Sequence, residues 1–314
     1  MKKVLVTGSA GFVGSFVVKH ILDNTDWHVF GVERLSYSGD LERIKEVNKD
    51  RYTSIHHNLQ STVHSQLRER LGYIDIIIHI AANSHVDRSI ENPLQFVMDN
   101  VVGTCNILEF ARTLPNLEKF IYFSTDEVFG PADAGTYYDE DARYNSTNPY
   151  AATKAGGEEL AVAYRNTYKV PVIITHTMNI YGETQHPEKF IPKCISKIKK
   201  GETIQIHSDS SKTKAGSRFY IHAGDVADAI MFLIENGRLE KYNIVGEKEY
   251  DNYELAKIIS ETLGKPLNYE FVDFHSSRPG HDLRYALSGE KMKKMGWVPK
   301  TNLEEYIKKS LCKL

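Results

Sequence analysis

Cysteine is scarce in this chain of 314 residues: there are three, Cys105, Cys194 and Cys312. They are far apart, odd in number and without metal-ligand spacing, which excludes a disulfide framework or a cysteine-built metal centre and favours a reducing compartment. Long hydrophobic runs are also lacking. No stretch approaches the ~20 apolar residues of a membrane span, and Val4-Leu5-Val6 after Lys2-Lys3 stops at Thr7-Gly8, too short for an export core. Nor is one sign of charge in excess. The net charge of -2 comes with no basic block, so bulk electrostatics points to neither nucleic acid nor an anionic membrane as partner. With no repeat or low-complexity tract, the expectation is a soluble cytoplasmic protein. Its 41% apolar content suffices for one large core, or one core with a smaller lobe.

What is present is alternation. Apolar runs at Lys3 to Thr7, His28 to Val32, Ile74 to Ile80, Phe120 to Ser124 and Val170 to His176 alternate with amphipathic stretches. Strand, helix, strand repetition predicts a parallel sheet covered by helices on both faces. The runs are apolar on consecutive residues, as strands buried on both faces should be. After Tyr181-Gly182 the pattern loosens, with Pro187, Pro192, the polar stretch Ser208 to Ser217 and Pro279-Gly280. A domain of residues 1–176 is therefore expected, followed by a smaller lobe over 177–314 whose chain crosses back to the first.

The first strand leads into Gly8-Ser-Ala-Gly11-Phe12-Val13-Gly14 and then a helical stretch. Glycine permits a tight turn there and lets backbone N–H groups approach a pyrophosphate at the helix N-terminus. Glu33 ends the second run, where a carboxylate accepts protons from both ribose hydroxyls. A negative charge at that point repels a 2′-phosphate, so NAD is favoured over NADP. Arg34 admits two readings: a clamp for that phosphate, or a solvated surface cation. Ala81 and Ala82 end the third run, small enough for a cofactor to lie against the backbone or simply for helix packing.

Asn148-Pro149-Tyr150 opens a predicted helix, with Asn148 as cap and Pro149 at the first position. Tyr150 and Lys154, four apart, share one face. An unperturbed phenol, pKa ~10, is a poor base at neutral pH, but an ammonium beside it favours phenolate. That pair suffices to move a hydride, so Thr125, Asp126 and Glu127 at the end of the fourth run call for a second reaction. Elimination of water suits them: one carboxylate removes a proton next to a new ketone while the other carboxyl protonates the departing hydroxyl. Neighbours in an ideal strand point to opposite faces, so the two acids converge only if the chain has left strand geometry by then. The competing reading is a helix N-terminus whose first turn carries acids to satisfy its dipole.

These residues resemble the nucleotide-sugar branch of the extended short-chain dehydrogenases, and most closely the dTDP-glucose 4,6-dehydratase family. The likeness runs nearly end to end. It rests on Gly8 to Gly14, Ala81 to Ser89, Ser124-Thr-Asp-Glu-Val-Phe-Gly130, Tyr150 to Lys154, Asn179-Ile-Tyr-Gly182, Pro187 to Pro192 and Arg278 to Arg284. The Thr-Asp-Glu element is the specific one, since related epimerases lack the acid pair and related decarboxylases and GDP-mannose dehydratases usually carry Ser-Glu there. The resemblance implies a doubly wound Rossmann α/β fold with a smaller substrate lobe, NAD as cofactor, a homodimer, and conversion of UDP- or dTDP-glucose to its 4-keto-6-deoxy product. An epimerase or decarboxylase on the same scaffold, or a non-catalytic dinucleotide sensor, is the alternative. It implies Gly8, Gly11, Phe12, Val13, Gly14, Glu33, Asn58, Leu59, Ala81, Ala82, Tyr150 and Lys154 around the cofactor. Ser84, Thr125, Asn179, Lys189, Arg218, Asn243, Arg278 and His281 are implied around the substrate, and no metal. Arg218 has its own rationale, because a guanidinium fork suits phosphate oxygens. Departures from the family pattern are Glu33 and Asn58 in place of Asp, Ile180 in place of Asn, changes at Asn83 and Asp99, and a longer Ser208 to Ser217 segment. They leave the choice between UDP and dTDP open.

Overall fold

A computed structural model describes residues 1–36, 39–274 and 282–311. Six strands come first: β1 (Lys3–Thr7), β2 (His28–Glu33), β3 (Tyr52–His56), β4 (Ile76–His79), β5 (Lys119–Thr125) and β6 (Val172–Thr177). Then follow β7 (Asn179–Tyr181), β8 (Ile204–Ser208), β9 (Ser217–His222), β10 (Lys241–Ile244), β11 (Glu249–Asp251) and β12 (Tyr269–Asp273). The first six and β10 make one seven-stranded sheet in the order β10-β6-β5-β4-β1-β2-β3, with every neighbouring pair parallel. All five expected runs are strands of this sheet. β3 was not expected: as an edge strand it buries only Ile55 among polar neighbours, and a single inward residue leaves no period to read.

Consecutive apolar residues go to opposite faces. Val4, Val6, Ile76, Ile78, Ile121 and Ile173 pack on one side with the helices Phe12–Asn24 and Ala223–Asn236. Leu5, Ile77, Phe120, Tyr122, Val172 and Ile174 pack on the other with Gly103–Ala111 and Pro149–Tyr168. Each fully buried aliphatic side chain contributes ~1.5–3 kcal/mol, so neither face tolerates a polar alternation. The fold is a doubly wound Rossmann-type α/β sheet. Strand order reverses between β1 and β4, the place where such sheets open a crevice at their carboxyl ends.

The smaller lobe is built from a three-stranded sheet, β11-β9-β7, and a two-stranded one, β12-β8. Its own core gathers Tyr181, Ile191, Ile206, Tyr220, Leu255 and Ile259. Because only Met178 separates β6 from β7, the lobe starts directly above the carboxyl end of β6. The chain then returns: Ala223–Asn236 packs on Phe12–Asn24 and β10 pairs with β6. Among the described residues, no helix is long and apolar enough to cross a membrane.

The small residues of the helix Pro149–Tyr168 divide their tasks. Ala151 and Gly157 are buried, whereas Ala152 is exposed. A Cβ on Gly157 would lie 2.4 Å from the Tyr122 hydroxyl and 3.0 Å from the Asn100 carbonyl oxygen, and that hydroxyl donates to the Lys154 carbonyl at 2.9 Å. Gly→Ala in a helix ordinarily stabilises by ~1 kcal/mol. Here overpacking, at ~1–3 kcal/mol, outweighs it, so Gly157→Ala should lower the melting temperature in calorimetry. A rise would show that β5 and this helix are not held at their closest approach.

Candidate active site

The turn after β1 sets the first half of the site. Gly8 has φ +74°, a left-handed conformation that favours glycine. A Cβ on Gly14 would stand 2.0 Å from the Gly8 carbonyl oxygen, so the helix Phe12–Asn24 abuts the turn only because both are glycine. Its N-cap, Gly11, offers no side-chain cap, which leaves the first N–H groups available to an anion. Below the turn, His79 bonds Thr7 Oγ1 at 2.8 Å and Thr104 Oγ1 at 2.9 Å. Burial lowers its pKa to about 3, so it is a neutral strut joining β1 and β4 at the switch point. Nothing in the sequence pattern marks it, since it falls within an apolar run.

Glu33 ends β2 and is buried; its Oε1 accepts from the Ala10 N–H at 2.5 Å. Burial raises its pKa, opposed by hydrogen bonds from Ser9 and Ala10. Arg34 is not a solvated surface cation: its guanidinium forks onto Asp99, with Nη2 donating to Oδ2 at 3.1 Å. Gly8, Gly11, Phe12, Val13, Gly14, Glu33, Asn58, Leu59, Ala81 and Ala82 line one cavity of about 370 Å³. Uncapped backbone donors beside a ribose-end carboxylate fit a dinucleotide.

The same cavity continues without a break to Ser84, Thr125, Asp126, Glu127, Tyr150, Lys154, Asn179 and Lys189. β5 stops at Thr125 and a 3₁₀ turn, Asp126–Phe129, begins at once, with Thr125 as its cap. Departure from strand geometry turns both carboxyls into the cavity. They do stand in the first turn of a helix, but a four-residue turn has little dipole to satisfy, and both are pushed in the unfavourable direction. Burial, and then repulsion from Glu127, raises the pKa of Asp126 to about 7. Burial also raises that of Glu127, against a hydrogen bond from Asn148 and the charges of Arg218 and Lys189. Thr125 Oγ1 donates to Asp126 Oδ1 at 3.0 Å.

Asn148 has two tasks. Its Oδ1 caps the helix Pro149–Tyr168 by accepting from the Ala151 N–H at 2.8 Å, and its Nδ2 donates to Glu127 Oε2 at 3.0 Å. The sequence pattern shows the first and not the second. Tyr150 is buried edge-on to Phe96 and its N–H is held by Ser89 Oγ at 3.1 Å. Lys154, one turn later, donates to the Phe123 carbonyl at 2.6 Å and lies over the Tyr122 ring at 4.4 Å. Burial without a carboxylate partner lowers its pKa to about 7. The site thus holds a phenol beside an easily discharged lysine, and a carboxyl that keeps its proton near neutrality beside a second carboxyl fixed by an amide.

Two expected substrate residues stand elsewhere. Asn243 is wholly buried in β10. Its Nδ2 donates to the carbonyls of Tyr138 and Ser288, each at 3.1 Å, and its Oδ1 meets His176 Nδ1 at 3.0 Å. Its amide is satisfied inside the core, and it is not among the residues that line the cavity. Arg218, in β9, directs its fork at the carbonyls of Ser217, Leu283 and Asp282 and stacks on Tyr285 at 4.6 Å; it reaches the site through its charge on the two acids. Arg278 and His281 lie outside the described residues. Among the described residues, no cluster of three or more His, Cys, Asp or Glu side chains is suited to a metal ion. Met178, Gln185, His186 and Tyr220 also line the cavity, and no local pattern singles them out.

A sequence model of the family described as GDP-mannose 4,6 dehydratase matches residues 5–310. The chain is 37% identical over 317 residues to a dTDP-D-glucose 4,6-dehydratase of Mus musculus, covering 99% of this chain and 88% of the relative. It is 34% identical to a trifunctional Arabidopsis thaliana protein that includes UDP-glucose 4,6-dehydratase, covering 99% of this chain and 46% of that one. A solved dTDP-glucose 4,6-dehydratase from Streptomyces venezuelae, with NAD and TYD bound, superposes with a TM-score of 0.89 at 33% identity, covering 99% of this chain and 96% of that one. Together with the site geometry, these matches establish that the chain belongs to the family described as GDP-mannose 4,6 dehydratase, in its dTDP-glucose 4,6-dehydratase branch.

Proposed function

We propose that this protein is an NAD-dependent nucleoside diphosphate glucose 4,6-dehydratase acting on dTDP- or UDP-glucose. The observation that carries the reading is one cavity holding both a Tyr–Lys pair and two inequivalent carboxyls, one with a pKa of about 7. When bound, NAD supplies a hydride acceptor at C4 and a donor at C6; Gly8 to Gly14, Glu33, Asn58, Leu59, Ala81, Ala82 and Lys154 would hold it. Tyr150 takes the C4 hydroxyl proton, helped by the Lys154 ammonium and by Thr125. The C4 ketone acidifies C5–H, and Glu127, fixed by Asn148, removes that proton and, after exchange with solvent, returns one to C5 as C6 receives the hydride. Asp126 delivers its proton to the departing C6 hydroxyl, which leaves as water. Ser84, Asn179 and Lys189 would orient the sugar and diphosphate. Residues 1–176 with the returning stretch 223–244 serve the cofactor, and the rest from 177 forms the substrate lobe. A reducing cytoplasm suits the free thiols of Cys105 and Cys194.

The test is incubation with dTDP-glucose and UDP-glucose in parallel in deuterated water, followed by mass spectrometry. Loss of water with deuterium gained in the product is expected for at least one of them. Glu127→Gln should reduce that product by at least ~10²-fold while the folded protein still binds the nucleotide sugar. Product from neither substrate, or full dehydration by Glu127→Gln, would overturn the assignment.

The pKa of Asp126 also has a consequence for stability. The ordinary value of 3.8 returns on unfolding, whereas the folded chain keeps the proton until about pH 7. Over that interval the folded state binds more protons, so stability falls as pH rises and levels off above about 7. Asp126→Asn removes this dependence. In denaturant titrations the variant should gain on wild type between those pH values, by a few kcal/mol at most, with no advantage below ordinary carboxyl pKa values. A gap independent of pH would refute the raised pKa.

Assembly as a homodimer completes the reading. Leu94 and Val97 are exposed on the segments that pack beside Pro149–Tyr168, and Ala152 is exposed on that helix. Sedimentation at micromolar concentration should give the mass of two chains; a single-chain mass would contradict it.

A further inference from the structure

The geometry points to Asp99 as the residue that fixes the cofactor preference, by withdrawing Arg34 from the 2′ position of the ribose. This rests on the dinucleotide reading above. Arg34 follows directly on Glu33, and both line the cavity with Asn58 and Leu59. An arginine at this point is the usual partner for a 2′-phosphate, so its presence beside a carboxylate is a contradiction unless something neutralises it. Asp99 does so. Both its carboxylate oxygens take the guanidinium fork, a bidentate geometry that is among the strongest charge-assisted contacts.

The carboxylate is itself held on all sides. Gln60 Nε2 donates to Oδ1 at 2.7 Å, Gln95 Nε2 to Oδ2 at 3.0 Å, and Asn83 Nδ2 to the same oxygen. Asp99 is 7% exposed and Arg34 33%, so the pair is shielded from solvent on the acid's side and cannot simply swing apart. Asp99 stands in a π-helical stretch, Val97–Val102, a distortion that re-aims side chains in an otherwise regular helix. The other cation at this end, Arg43, donates to the carbonyls of Ala10 and Thr184 at 3.2 and 3.1 Å. Glu33 is the anion left to face the ribose.

Asp99→Asn keeps the shape and removes the charge, freeing Arg34. Purified protein is equilibrated with equal NAD and NADP, desalted and denatured, and the released nucleotides are quantified by chromatography. Wild type should retain NAD. Asp99→Asn should shift the NADP-to-NAD ratio upward by about tenfold or more, and adding Arg34→Ala should return it to the wild-type ratio. Arg34→Ala alone should leave the ratio where it was, a measurement that stands even if Asp99→Asn fails to fold. An unchanged ratio in folded Asp99→Asn, an upward shift that survives Arg34→Ala, or a ratio that falls in Arg34→Ala alone would each overturn the inference. Retention of neither nucleotide by wild type would instead refute the dinucleotide reading.

Discussion

Two carboxyl groups consecutive in the chain occupy one cavity because β5 ends between Thr125 and Asp126. Had the strand run one residue further, Asp126 and Glu127 would alternate across the sheet, and one would be buried among the apolar side chains of a face. The 3₁₀ turn avoids this, and everything chemical in the site depends on it. It brings the two acids together in the cavity that Tyr150 also lines, and it is held there by Asn148, whose main structural task is to start the next helix. One amide side chain thus caps the helix through its oxygen and holds Glu127 through its nitrogen, which ties the orientation of Glu127 to the origin of the helix carrying Tyr150 and Lys154.

The sheet supplies the other half of this arrangement. All seven strands are parallel, so all their carboxyl ends open on the same edge. The turn after β1, the end of β2, the end of β4, the acid turn after β5 and the start of the lobe after β6 therefore meet around one crevice without long connections. His79 ties the end of β4 to β1 through Thr7 and to the helix Gly103–Ala111 through Thr104. At that depth it cannot carry charge.

How much of this was legible in the sequence follows from what each residue's signal depends on. Glycines at Gly8, Gly11 and Gly14, the apolar strands and the Tyr150 to Lys154 spacing are local, and the structure places them where the pattern does. β3 was hidden because an edge strand has only Ile55 to bury. Asn243 resembled a substrate ligand by position, yet the polar groups of Tyr138, Ser288 and His176 meet it only in three dimensions. Arg218 has the chemistry of a phosphate clamp, but its fork is turned to backbone carbonyls of the segment at Asp282 and Leu283. Arg34 and Asp99 are 65 residues apart, and neither surface exposure nor a clamp describes an arginine whose partner lies on another element. Polar residues are the least legible, since their role depends on the partner and not on periodicity.

Desolvation is the largest cause of the shifted proton affinities of both Asp126 and Lys154. It raises Asp126 to about 7 and lowers Lys154 to about 7, because an apolar surrounding penalises a charge of either sign. The effects are equal in origin and opposite in consequence. If water entered the cleft freely, Lys154 would regain a secure positive charge and lose nothing needed beside a phenol. Asp126 would ionise and, in the role proposed for it, lose the proton that the departing hydroxyl requires. Exclusion of water is therefore a constraint imposed by the elimination and not by the redox step. Tyr150 and Lys154 alone would be served by an open cleft, whereas the acid pair requires walls, and the lobe that begins directly after β6 contributes Asn179, Lys189 and Tyr220 to them.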